Sequence, residues 1–330
     1  MTDRNQLLHH FVQQHFPNHL GELAMVSGDA SFRRYYRIRV AAHTFILMDA
    51  PKPMEDVEKF YRVATALAQA GVRVPQMIAA DFPQGFLAIE DLGDVMLSLR
   101  LTDDPTPWYQ QALSLLPKLR QLHQFTELPL FDSAFIQREL GIFTEWFIQR
   151  HLGMTLNQAE LAMLASTFAQ LELAILQQPQ AAMHRDFHSR NLMVLPDTSL
   201  AVIDFQDAVL GPVCYDAVSL VRDCYVRWPD AQVARWRGLF LSQLQQQGWY
   251  LGDEAARFEQ DFDFTGLQRH IKVLGIFCRL NYRDQKAGYM ADLPRVFSYV
   301  MDVAAQYPQL SEFVAWLQRD VQPRFLRSLG

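Results

Sequence analysis

Apolar and polar positions change their rhythm once along this chain. Up to about residue 93 the apolar residues come in short strand-like runs; beyond it they recur mostly at helical spacing. Residues 2–16 read as a short amphipathic helix. Strand-like runs follow at about 22–27, 34–40 and 43–50, with Gly28-Asp29-Ala30-Ser31 as a turn between the first two and Pro51 and Pro53 ending the third. A helix fits 55–70, with Val57, Phe60, Tyr61, Ala64 and Leu67 on one face and Gly71 closing it. Two more strands fit 76–81 and 85–90, before Asp91-Leu92-Gly93. Helices then fit about 106–125, 132–150, 157–178, 213–226, 230–247, 254–280 and, with breaks, 290–328. In 157–178 the stripe is Leu161, Leu164, Ala165, Phe168, Leu171 and Ile175, and Asn157 with Glu160 resembles a capping box. One β island, 192–204, interrupts the helices. The pattern predicts an α+β fold: a small β-rich N-lobe over 1–93, a larger, mainly helical C-lobe over 94–330, and a ligand cleft near 90–94.

That β island is where chemistry concentrates. Leu192–Leu195 and Leu200–Ile203 flank Pro196-Asp197-Thr198-Ser199, a hairpin signature. If Leu195 pairs with Leu200, pairing runs outward until Asn191 faces Asp204. Directly opposed residues have Cβ atoms roughly 4.5–5.5 Å apart, close enough for two oxygen ligands to share a cation. Mg²⁺ takes hard oxygen ligands and usually only one or two from the protein, so Asn191 and Asp204 suit it. Asp186 lies five residues before Asn191, on a loop where a carboxylate can orient an attacking hydroxyl and accept its proton. His-x-Asp-x4-Asn alone is ordinary loop chemistry; joined to the hairpin and Asp204 it becomes specific. His184 reads as a brace for the loop, and His188 and Arg190 stay open between bracing and substrate contact.

Composition narrows the partners. Of 330 residues, half are hydrophobic and 20% charged, with a formal net charge of −6, which fits a folded chain without the basic face that nucleic acid demands. Three scattered cysteines with no CxxC pair suit a reducing compartment. The N-terminus lacks a signal-like apolar stretch, and no run reads as a membrane span, so a soluble, cytoplasmic protein with no nucleic-acid or membrane partner is expected.

The His184–Asn191 loop, the hairpin and Ile203-Asp204-Phe205 together resemble the catalytic and metal-binding segments of protein kinase-like folds. Over most of its length the chain resembles the aminoglycoside phosphotransferase and choline kinase superfamily. That resemblance implies a protein kinase-like bilobal fold, ATP and Mg²⁺ as cofactors, Asp186 as catalytic base, and Asp216 supporting the catalytic loop from a helix start. It places Gly28, Ser31, Phe32, Arg33 and Arg34 in the phosphate-covering loop, and Glu90 and Leu92 at the hinge that reads adenine. Gln206 replaces the glycine of the usual Asp-Phe-Gly, and Met48 stands where the family usually carries a phosphate-binding lysine; Arg33, Arg34 or Lys52 could supply that charge, with Glu58 on the following helix as an ion-pair candidate.

Four strings, S-G-D-A-S-F-R-R-Y-Y-R (27–37), M-D-A-P (48–51), H-R-D-F-H-S-R-N-L-M (184–193) and I-D-F-Q-D-A-V-L-G-P-V-C-Y-D (203–216), look like the bacterial N-acetylmuramate/N-acetylglucosamine anomeric kinases of cell-wall recycling. This implies a small amino-sugar substrate phosphorylated at its anomeric hydroxyl. Glu145, Trp146, Arg222, Arg279 and Asn281, with Tyr282, are candidates for the sugar site, and either arginine could meet the lactyl carboxylate of N-acetylmuramate. A kinase acting on choline, a pentose or an aminoglycoside, and a nucleotide-binding regulator without phosphotransfer, are the competing expectations.

Overall fold

The computed structural model describes residues 4–28, 33–52, 56–101 and 104–329. The expected turn at 29–32 therefore lies outside the described residues. Two compact units emerge, Met1–Glu127 with Arg190–Ala208, and Leu128–Ser189 with Val209–Gly330. By packing, residues 94–127 and the 190–208 hairpin thus go with the strands. The division expected at 93/94 is one of function rather than of packing.

The first unit is built on a five-stranded antiparallel sheet. Its strands are β1 (His19–Gly28), β2 (Arg34–Val40), β3 (His43–Asp49), β4 (Met77–Asp81) and β5 (Phe86–Glu90), in the order β1-β2-β3-β5-β4. Helix α1 (Arg4–His15) buries Leu8, Phe11 and Val12 in a cluster with Ile38, Leu47, Phe86 and Ala88 of the sheet. Helix α2 (Val57–Gln69) starts where the Asp56 side chain accepts from the Lys59 amide at 2.9 Å, and buries Val57, Phe60, Val63, Ala64 and Leu67. Tyr61, expected on that buried face, is 36% exposed and meets Phe82 edge-on instead. Helix α3 (Thr106–Leu119) and a short 3₁₀ turn replace the single helix expected to 125.

In the second unit α4 (Ser133–Ile142) runs on into a π-helical stretch, Phe143–His151. Helix α5 (Gln158–Leu176) keeps the expected capping box, but its buried stripe is Met163, Leu164, Thr167, Phe168, Leu171 and Ile175, so Leu161 and Ala165 face outward. By length and composition α5 would also suit a membrane, contrary to the sequence expectation, yet that buried face belongs to the core. Strands β6 (Gln180–Met183) and β9 (Val209–Pro212) pair antiparallel and were not anticipated. Helices α6 (Tyr215–Val221), α7 (Asp230–Gln246), α8 (Phe258–Tyr282), α9 (Leu293–Ala304), α10 (Ser311–Trp316) and α11 (Gln322–Ser328) complete the unit. The 25-residue α8 is buried on nearly every side. Gly275 lets it approach: a Cβ there would stand 2.4 Å from the Ile142 carbonyl oxygen, where α4 gives way to the π-helical stretch.

Candidate active site

The loop after β6 is held by its backbone. The Asp216 carboxylate, in the first turn of α6, accepts from the amides of His184 at 2.7 Å and Arg185 at 3.0 Å. Arg185 sits at φ 75°, a conformation that costs a non-glycine residue energy and needs such anchoring. His184 Nδ1 accepts from the Asp186 amide at 3.3 Å, within the same loop. Burial pushes the Asp216 carboxyl up, against the opposing pull of His184 and the two amides.

Asp186 is half-buried. Burial alone would raise its carboxyl, but Lys272, Arg185, His188 and Arg269 outweigh it and hold it at about 2. Two of these, Arg185 and Lys272, are themselves fixed by Glu139 of α4, which sequence reasoning missed. Glu139 meets Arg185 at 2.8 Å and Lys272 at 3.3 Å, and accepts from Gln268 at 3.0 Å. Lys272 also donates to the Tyr215 hydroxyl at 2.8 Å. For Glu139 too, burial opposes ionisation, and Lys272, Arg185 and the Gln268 amide win, keeping it below the usual carboxylate range. Gln268 and Lys272, four apart on α8, were the available signal: two polar residues on one stripe of a buried helix ask for a buried partner. Farther along the loop, Asp223 accepts from both the amide (3.0 Å) and hydroxyl (2.6 Å) of Ser189. Burial drives His188 down to about 4, so it is a neutral imidazole at neutral pH, edge-on to Tyr225.

The hairpin belongs to the first unit, and its register corrects the sequence reading by one residue. Strand β7 (Leu192–Val194) meets β8 (Leu200–Val202) with Leu192 opposite Val202 and Val194 opposite Leu200. Thr198 adopts φ 65° and Leu195 donates to the Ser199 carbonyl at 2.9 Å, so the loop has three residues rather than four. Asn191 therefore faces Ile203, whose amide donates to the Asn191 carbonyl at 3.1 Å. A one-residue slip sends side chains to the opposite face. Asp204 escapes this because its own φ is 61°, which swings its carboxylate back to within 3.4 Å of Asn191 Nδ2. The expected pair forms by a strained backbone rather than by register. Gln206 donates to the other Asp204 oxygen at 3.0 Å, and Phe205 is buried on Phe60 of α2.

The nucleotide candidates fare differently. Ser31 and Phe32 lie outside the described residues, and Gly28 ends β1. Met48 is fully buried between Tyr35 and Leu87, so no cation occupies its strand position. Arg34 is committed to Asp49 at 2.5 Å, which Arg4 also meets at 2.6 Å; Lys52 pairs with Glu58 at 3.3 Å. Arg33 is buried and shares a small cleft with Met48, Ala50, Phe60 and Gln206. Glu90 pairs with Arg73, and Leu92 lines a cavity of about 430 Å³ with Gly93, Trp108, Val194 and Pro196.

Among the acceptor candidates, Glu145 and Trp146 of the π-helical stretch line a cavity of about 560 Å³ with Gln149, Arg150, Tyr282 and Arg283. Arg222 is instead held by Asp263 at 2.7 Å, itself bonded to the Tyr307 hydroxyl. Asn281 is half-buried at the end of α8.

The family described as "Phosphotransferase enzyme family" matches residues 22–254. The chain belongs to this phosphotransferase family. Within it, the chain is 40% identical over 293 residues to the N-acetylmuramate/N-acetylglucosamine kinase of Pseudomonas putida, covering 88% of this chain and 86% of that one. It is 38% identical over 292 residues to the protein of the same name from Pseudomonas aeruginosa, with the same two coverages. Among solved structures, the choline kinase LicA of Streptococcus pneumoniae superposes with a TM-score of 0.61 at 14% identity, over 92% of this chain and 99% of that one. The α+β, protein kinase-like bilobal fold expected of a phosphotransferase is thus the one observed.

Proposed function

We propose that this phosphotransferase is a kinase that uses ATP to phosphorylate the anomeric hydroxyl of N-acetylmuramate and N-acetylglucosamine, yielding the sugar 1-phosphate for peptidoglycan recycling in the cytoplasm. The observation that carries the chemistry is an ionised carboxylate, Asp186, on a loop pinned by Asp216. The choice of sugar rests on the two Pseudomonas kinases. Asp186 acts as the base that orients the hydroxyl and takes its proton.

Asn191 and Asp204 would hold Mg²⁺. The donor set fits: an amide and a carboxylate lie side by side, the carboxylate steadied by Gln206. Among the described residues no three His, Cys, Asp or Glu cluster as a metal site, and Mg²⁺ with phosphates and water needs no such cage. When bound, the ion offsets charge on the transferring phosphoryl group. Arg33 stands in for the missing lysine, because it lines a cleft with Met48 and Gln206, whereas Arg34 shares Asp49 with Arg4. Residues 1–93, including Gly28, Ser31, Phe32 and the hinge at Glu90 and Leu92, clamp the nucleotide, and 94–330 supply base and acceptor site.

The test is an ATP-consumption screen over amino sugars, aminoglycosides, choline and pentoses, with phosphorus NMR of the product. An anomeric phosphate on the two N-acetyl sugars is expected. Turnover only with choline or an aminoglycoside would move the chain elsewhere in the family.

A further inference from the structure

We infer that Arg279 is the residue that reads the lactyl carboxylate of N-acetylmuramate, and so sets the preference between the two sugars; this rests on the reading above. Sequence alone leaves Arg222 and Arg279 equal, but their surroundings separate them. Arg222 ends α6 against Asp263, and its guanidinium also lies over the Phe262 ring. Asp263 balances its charge inside the unit, although one guanidinium nitrogen, Nη1, is buried without a partner. The Arg279 guanidinium makes no hydrogen bond or ion pair with the described residues, and its Nε is fully buried without a partner. A guanidinium left this way in a family that binds an anionic sugar is poised for an external carboxylate, with which it can pair bidentately.

Position supports the same reading. Gln268, Lys272 and Arg279 fall on one stripe of α8, because steps of four and seven residues return to nearly the same face. Lys272 is the cation that weighs most on Asp186. Arg279 lies seven residues on, a rise of about 10 Å along the helix. Tyr282 and Arg283, three and four residues farther, line the cavity with Glu145 and Trp146. In the proposed pose, with the anomeric oxygen at Asp186, the 3-O-lactyl group leaves the ring two carbons away and extends toward this end of α8. Other cations there are engaged: Arg283 pairs with Asp284 at 2.8 Å, and Arg150 lies 5.5 Å over the Tyr282 ring.

The experiment is kcat/KM for both sugars in the wild type, Arg279→Gln and Arg279→Lys, with thermal unfolding as a folding control. Arg279→Gln should lower kcat/KM for N-acetylmuramate about 10- to 100-fold, the scale of one lost charge-assisted hydrogen bond, and leave N-acetylglucosamine within about threefold. Arg279→Lys should recover part of the loss, which keeps the test open if the glutamine variant folds poorly. Equal loss on both sugars, or no loss on N-acetylmuramate, overturns the role of Arg279 alone. A wild type that phosphorylates neither sugar overturns the proposed function and this inference together.

Discussion

Replacing Glu139 by glutamine removes one negative charge and almost no volume, and it tests the framework behind Asp186. Glu139 is 4% exposed and is the shared anion of Lys272 and Arg185. Breaking a buried ion pair by removing one partner costs about 3–5 kcal/mol, since the other charge stays desolvated. Here Lys272 keeps the Tyr215 hydroxyl and glutamine can still accept from Gln268, so the lower end, about 3 kcal/mol, is expected. Urea unfolding followed by tryptophan fluorescence reads the right unit, because Trp146, Trp228, Trp236, Trp249 and Trp316 all lie in the second unit and Trp108 alone in the first. With a slope of about 2–3 kcal/mol per molar urea, the midpoint should fall by about 1 M or more. The difference should also depend on pH. The Glu139 carboxyl is depressed in the folded state, so its contribution is complete above the unfolded value of about 4.3 and fades as pH drops through the lower folded value. Wild type and variant should therefore converge on acidification. A midpoint shift under about 0.3 M at pH 7, or a gap that ignores pH, would refute the claim that this carboxylate anchors the cations.

Three further outcomes follow from single contacts. Asp186→Asn should lower kcat by about 10²- to 10⁴-fold while nucleotide affinity, measured by calorimetry, stays within a few-fold, because the proposed base would work chiefly in the transition state. Thr198→Gly should raise thermal stability by roughly 0.5–1 kcal/mol, since glycine relieves a β-branched residue at φ 65° and returns part of that gain as unfolded-state entropy; a destabilised variant contradicts the strained turn. Gly275→Ala should cost about 1–3 kcal/mol in the same assay despite the better helix propensity of alanine, because its Cβ must displace the Ile142 carbonyl, and a stabilised variant would mean that α8 does not approach so closely.

Much of this arrangement is legible in the chain. Short-range signals carried through: strands β2 and β3 match their expected bounds almost residue for residue, and Asn157 with Glu160 forms the capping box. What could not be read depends on backbone conformation or on distant partners. The hairpin register turned on whether Thr198 would enter the left-handed region, which a Pro-Asp-Thr-Ser string does not announce. Strands β6 and β9 are four residues each and lie far apart in sequence, so neither carries an alternation long enough to see. Glu139 sits on a helix whose period shows only that the position faces inward; its role comes from α8, more than a hundred residues later.

The electrostatics of Asp186 also bear on which hydroxyl it can serve. The surroundings that keep it ionised, at about 2, make it a feeble proton acceptor at neutral pH. Such a carboxylate cannot create an alkoxide before attack. It can point the hydroxyl and take the proton late, once bonding to phosphorus has made that proton acidic, and this suffices where the transition state is loose and places little demand on the nucleophile. An anomeric hydroxyl is more acidic than an ordinary alcohol and asks less still of its base. Had burial prevailed over Lys272 and Arg185, Asp186 would be protonated more readily and would lose the constant negative charge that orients the acceptor. On the proposed mechanism Glu139 therefore acts from a distance, by fixing Arg185 and Lys272, two of the groups that keep Asp186 charged.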